Sequence, residues 1–207
     1  MAIVIPQVKE VAYEQNLTPS VEFSIRDIFY IIGGIQIIGL FNKTTITAIS
    51  REGSNAYILK FLPIDLYRQF VYKNIPQIFM NTISSTIILS ILYFNIDVLN
   101  LKYIILLFFI NFILYCINSY LLLIINLLIP KNKWNSEHEI FKNNKNFLIQ
   151  YLLIIFNIIF LYYFDKLFYK HNMDKSIILF FIILIIIFII LNIFVNKFKN
   201  KLFEKIN

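Results

Sequence analysis

The stretch IILFFIILIIIFIIL, Ile177 to Leu191, runs fifteen residues without one polar side chain. With its flanks it forms a block from Ser176 to Val195, the length a helix rising about 1.5 Å per residue needs to cross a ~30 Å hydrocarbon core. A helix at a protein–water boundary keeps a polar face, and this block has none. Working outward, similar blocks lie at Phe147 to Phe164, Leu101 to Ile129 and Ile75 to Val98. A weaker one at Asp27 to Ile49 is interrupted by Gly33, Gly34, Gln36 and Gly39. Inside hydrocarbon each backbone N–H and C=O must be paired within its own segment, which helices achieve and short strands do not. The expectation is an all-α, polytopic integral membrane protein with about five transmembrane helices.

Composition agrees. Of 207 residues 59% are hydrophobic, 17% aromatic and only 15% charged, with a mean hydropathy of +0.72. Soluble domains carry about a quarter charged residues. Met1 to Ser24 is mainly polar, with three glutamates, and lacks the basic start and apolar run of a cleavable signal. The single cysteine, Cys116, lies in an apolar block, so no intrachain disulfide forms.

Orientation follows from lysine and arginine, which accumulate in cytoplasmic loops. Lys43 to Lys73 holds five, Lys131 to Lys145 four and the tail after Asn196 four; the other side holds six, among them Lys166, Lys170 and Lys175. The N-terminus is therefore expected outside, with residues 1–26 as an extracytoplasmic segment, and the C-terminus inside. The net charge of +7 is explained by these loops and gives no reason to expect nucleic acid.

Polar residues within the spans fall on stripes. Thr82, Thr86 and Ser90 repeat every four residues beside Asn81 and Ser85. Asn111, Tyr115, Asn118 and Ser119 share another face, and Gln150 and Asn157 stand seven apart. Such faces are expected to avoid lipid, either by close helix packing or by lining a substrate path. The connector Ser50 to Asn74 contains an amphipathic helix opened by Asp65 as N-cap. Leu66, Tyr67, Phe70 and Val71 form one arc, and Arg68, Gln69, Tyr72 and Lys73 the other. It suits a membrane surface or a protein partner.

In this connector the run SREGSNAYILKFLPI, Ser50 to Ile64, resembles the "SREGK, aromatic, ILK, LPI" signature of bacterial ATP-binding-cassette exporter permeases of the type-2 class. The run PKNKWNSEHE, Pro130 to Glu139, with Lys142 and Asn143, is similar to that family's "PKLNW, acidic pair, K-N" segment. Ser54 departs from the family's lysine, and the family's members are considerably longer. Ala2 to Pro6 reads like the stub of an earlier span, so the chain looks like the C-terminal part of a longer permease.

The resemblance, covering about Ile25 to Asn207, implies a transmembrane permease domain over residues 27–207 in the bacterial plasma membrane. It implies a separate ATPase subunit that binds the ATP, this chain holding no cofactor. Ser50, Arg51, Glu52, Gly53, Leu62 and Pro63 become candidates for coupling to that ATPase. Pro130, Lys131, Trp134, Glu137, Glu139 and Lys142 form a second cytoplasmic motif, and a second permease half or a second copy completes the bundle within membrane lipid. Thr82, Thr86, Ser90, Asn111 and Asn118 would line a pathway or pack helices.

Other chemistry is thin. Glu137-His138-Glu139 lacks the second histidine of a zinc helix motif, so no metal site is expected. Gly33, Gly34 and Gly39 have no following Lys-Ser/Thr pair and are no phosphate loop. An intramembrane enzyme would place His, Asp or Glu inside its spans, and the central portions of these spans hold none. The chain is expected not to be an enzyme. A small non-transporting membrane protein, such as an immunity or accessory factor, is the alternative.

Overall fold

The computed structural model describes residues 25–95, 100–142, 144–168 and 173–204, and no strand occurs among them. The helices are α1 (Ile25–Leu40), α2 (Leu66–Asn95), α3 (Leu101–Leu128), the short α4 (Glu137–Phe141), α5 (Lys145–Phe168) and α6 (Met173–Glu204). A 3-10 stretch, Ser50–Lys60, lies between α1 and α2. Four helices, α2, α3, α5 and α6, are long and apolar enough to cross a membrane. α3 is the central one: more than half of its most apolar window is buried in the protein, against less than a third in the other three.

The bundle has two unlike ends. At one, which we call the short-loop end, α1 and α3 begin and α5 finishes. Phe29, Phe164 and Phe180 lock it, with ring centroids 4.6 to 5.6 Å apart. The ion pairs Arg26–Asp165 at 3.4 Å and Lys102–Asp174 at 2.8 Å also lie there. The other, the connector end, gathers the 3-10 stretch, α4 and the C-terminus of α6. Twelve of the sixteen described lysines and arginines lie toward it.

The first helix departs from the expected span at Asp27 to Ile49. α1 stops at Leu40 after 16 residues, which is about 24 Å against a ~30 Å core. Two local causes end it. The Asn42 side-chain oxygen accepts from the Thr44 N–H (3.0 Å) and hydroxyl (2.6 Å), a turn that competes with helix. The Thr44-Thr45-Ile46-Thr47 run that follows is β-branched throughout and a poor helix former. At the level of Gly39, where a Cβ would stand 2.4 Å from the Tyr115 ring, α3 still has thirteen residues to run. That remaining depth is filled by non-helical chain, and Thr45, Ile46, Thr47, Ile49 and Ser50 are completely buried.

Side chains of the spans satisfy this backbone. Gln77 of α2 accepts from the Thr45 N–H at 2.8 Å, and Asn81 donates to the Gly39 carbonyl at 3.1 Å. Asn126 of α3 accepts from the amides of Ile49 (2.6 Å) and Ser50 (3.2 Å). Gln150 of α5 donates to the carbonyls of Leu40 and Asn42. One level higher, Gln36 of α1 donates to Asn111 at 2.8 Å and accepts from Asn118 at 3.2 Å, and Asn118 accepts from Asn157.

α2 is consequently polar inside and apolar outside. Asn74, Gln77, Asn81 and Ser85 are buried at three- and four-residue spacing, with Gln69 buried a turn earlier, while Ile75, Phe79, Ile83, Ile87 and Phe94 are exposed. The hydroxyl stripe does not avoid the outside as expected: Thr86 and Ser90 are exposed and Thr82 half-buried. Each returns its hydroxyl to the carbonyl four residues earlier, so its polarity is consumed within the helix. Nor is the amphipathic segment a separate helix. Asp65 caps the Tyr67 N–H at 3.0 Å, and the helix then continues into the second span through Pro76. The proline withdraws one N–H without ending it. α5 and α6 likewise extend past the expected limits, α6 by nine residues beyond Val195.

Asn126→Leu and Gln77→Leu each strand buried backbone amides and should lower stability by about 1–3 kcal/mol, seen as earlier thermal unfolding in mild detergent. Thr86→Val should stay within about 0.5 kcal/mol. Equal effects at all three positions would remove the distinction between the two faces of α2.

Candidate functional site

The two motif stretches, eighty residues apart in sequence, fold against each other at the connector end, and Ser50 is the point where they meet. Its hydroxyl accepts from the Asn126 side chain at 2.7 Å and from the Lys131 N–H at 3.0 Å. Its carbonyl accepts from the Trp134 indole N–H at 2.8 Å. The connector then turns at Gly53, with φ +57° and ψ −134°, a conformation that side-chain-bearing residues rarely adopt. The turn lays the backbone under the Trp134 ring, whose atoms would stand 3.1 to 3.2 Å from a Cβ. Ser50 and Gly53 are therefore buried structural joints and Trp134 is the wedge above them.

The rest of the first motif faces outward. Arg51 is exposed and donates from Nε to the Thr47 hydroxyl at 3.1 Å. Glu52 is exposed and pairs with Lys73 at 2.7 Å. Beyond them the chain forms a knuckle of uncovered apolar side chains, Tyr57, Ile58, Phe61, Leu62 and Ile64, with Phe61 77% exposed. Pro63 is exposed within it.

The knuckle is tied down rather than loose. Gln69, buried at the start of α2, donates to the carbonyls of Leu59 and Ile64, both at 2.9 Å. Lys199 near the end of α6 bonds Asp65 at 2.6 Å, and Lys60 reaches the Glu204 carbonyl at 3.3 Å. The Lys199 ammonium, helped by the Tyr67 N–H and opposed by a weaker desolvation effect, holds the Asp65 carboxyl below its ordinary range. This contact is fully present above the ordinary carboxylate range and is lost as pH falls through the lowered value.

The second motif is a closed loop. Pro130 is half-buried where α3 ends. The Lys131 ammonium donates to the carbonyls of Glu139 and Lys142, and Glu139 accepts from the Asn135 N–H at 2.9 Å. Glu137 opens α4, and Lys142 is exposed. Among the described residues no three of His, Cys, Asp and Glu stand close enough to hold a metal. His171 lies outside the described residues. Of the stripe residues, Asn111 and Asn118 join the buried amide row with Gln36, whereas Thr82, Thr86 and Ser90 stand apart from it. The residues missed in the sequence are Asn126, Gln77 and Gln69. Asn126 was findable, since it continues the Asn118 face eight residues on.

No family model matches the sequence, and no curated protein or solved structure matches the chain.

Gly53→Ala must strain the backbone and push on Trp134, so it should cost about 1–3 kcal/mol and lower the thermal midpoint in detergent. Ser54→Ala, at the exposed neighbouring position, should leave the midpoint within error. A harmless Gly53→Ala would contradict the turn.

Proposed function

We propose that this chain is the membrane-spanning permease subunit, or the C-terminal part of one, of an ATP-driven exporter resembling the type-2 ABC class, and that a separate ATPase subunit docks at its connector end. One observation supports the reading above the others. The two stretches that carry the resemblance pack on each other through Ser50 and Trp134 and leave Arg51, Glu52 and the apolar knuckle around Phe61 uncovered. An apolar centre with a charged rim is the make-up of a protein-docking surface. The knuckle is fastened to α2 by Gln69 and to α6 by Lys199, so force applied to it reaches two spans directly.

The mechanism follows from differential contact. ATP binds the partner, whose closure on nucleotide presses the knuckle differently in its two states and so shifts the helix bundle between two arrangements. Arg51 gives its Nε–H to Thr47, and a guanidinium has further donors for a carboxylate across the interface. The excess of cations at the connector end supports placing that end in the cytoplasm of a bacterium, with the C-terminus inside and the N-terminal side outside. The largely uncovered flanks of α2, α5 and α6 favour a second permease half or a second copy beside the chain in the lipid.

A non-transporting accessory or immunity protein is the second reading. It is favoured by the engagement of Asn81, Asn111, Asn118, Asn126 and Gln150 in hydrogen bonds that hold α1 and the following segment. Co-purification with an ATPase separates the two readings.

Arg51→Ala combined with Glu52→Ala should reduce the chain's stimulation of its ATPase several-fold in the reconstituted complex at equal subunit levels. Unchanged stimulation would leave the motif a structural role only. In a Cys116→Ala background, cysteines at Asn55 and Asn135 should resist a membrane-impermeant thiol reagent in intact cells, and one at Asn100 should react. The reverse pattern would invert the orientation.

A further inference from the structure

At the short-loop end the seam between α1 and α5 does not close. A groove of about 230 Å³ runs along it, walled by Phe29, Tyr30, Gly33, Gly34, Leu161 and Tyr162, with Asp165 at its end. Glycine opens it: a Cβ on Gly34 would meet nothing within 4 Å. The walls are aromatic and aliphatic, and Tyr30 and Tyr162 are each well exposed.

Asp165 is out of place in such a groove. It is only 7% exposed. One carboxylate oxygen, Oδ2, accepts from Arg26 Nε at 3.4 Å. The other, Oδ1, is buried with no hydrogen-bond partner among the described residues. An ionised carboxylate only accepts, and leaving one of its oxygens buried without a donor is costly. The torsion about the last side-chain bond of an aspartate is soft, so a partial turn presents one oxygen to a donor in the groove, while the guanidinium of Arg26, with its several N–H groups, keeps the other. A cation arriving there would also lie beside the tyrosine faces, which attract positive charge.

We propose that this groove binds an amphiphile with an ammonium head and an alkyl tail. The ammonium hydrogen-bonds the free oxygen of Asp165 between Tyr30 and Tyr162, and the tail lies along Gly33 and Gly34 toward Ile37 and Ile158. The neighbouring charges set the selectivity. Arg26, on the carboxylate itself, and Lys166, the next residue along α5, oppose the attraction, so Arg26 weakens ammonium binding while holding the carboxylate in place. Binding needs no ATPase, and it stands or falls separately from the permease reading.

The test is equilibrium binding of radiolabelled dodecylammonium and dodecanol to the full chain in neutral-lipid nanodiscs, corrected for empty discs. Saturable binding of one dodecylammonium per chain is expected, at least about tenfold tighter than dodecanol. Asp165→Asn should erase that preference, and Asp174→Asn, at the same end but paired with Lys102, should preserve it. Arg26→Gln should strengthen dodecylammonium binding, an effect no merely structural role of the pair predicts. Gly34→Leu should abolish saturable binding of both probes by filling the groove. If Asp165→Asn fails to fold, the Arg26 and Gly34 variants decide. Equal affinity for the two probes, no saturable binding, or full binding in Gly34→Leu would overturn the proposal.

Discussion

A backbone N–H or C=O inside a bilayer has no water to turn to, and the architecture depends on how one buried non-helical segment meets that demand. α1 ends partway down the bundle, and residues 41–49 descend the remaining depth as turns in which few backbone groups, such as the Ala48 N–H on the Thr45 carbonyl, pair locally. Irregular backbone at such depth is tolerated only when protein surrounds it and supplies partners. Gln77, Asn81, Asn126 and Gln150 are those partners. They come from three different helices, so the segment also binds α2, α3 and α5 to one another. These four amides cap the segment, while Gln36, Asn111, Asn118 and Asn157 bond one another beside it.

The same device positions the candidate site. Asn126 holds the amides of Ile49 and Ser50 and bonds the Ser50 hydroxyl, which in turn accepts from the Lys131 N–H. Trp134 closes over Ser50 and Gly53 from the second motif. The knuckle around Phe61 is thus the outer face of a structure whose inner face is the capped segment. Movement imposed on it reaches the middle of the bundle through hydrogen bonds and packed rings rather than through a free loop.

Much of this was legible in the sequence, and the failures have physical reasons. α6 was plain, because a long run without polar residues leaves no alternative to hydrocarbon, and α3 because its few polar residues are set among long apolar stretches. The end of α1 was hidden because Ile46, Ala48 and Ile49 continue the apolar signal after the helix stops; hydropathy reports burial and not helicity. The union of the amphipathic segment with the second span was hidden by Pro76, a residue that removes one hydrogen bond but does not always stop a helix. The stripe on α2 was misplaced by one position: Asn81 and Thr82 lie about 100° apart on a helix, enough to exchange the inner face for the outer. Stripes showed that polar faces exist, and only the fold shows that Asn81 and Gln150 serve backbone carbonyls of residues 39–42, that Asn111 and Asn118 serve Gln36, and that the α2 hydroxyls serve their own helix.

The central claim is that this segment is sealed and hydrogen-bonded by span side chains, and amide hydrogen exchange of the full chain in lipid nanodiscs tests it most directly. The account predicts that the N–H groups of Thr45, Ile49 and Ser50 exchange as slowly as those in the middle of α3, even though they lie outside the long helices. Exchange at the rate of an open loop, with α3 still protected, would contradict it.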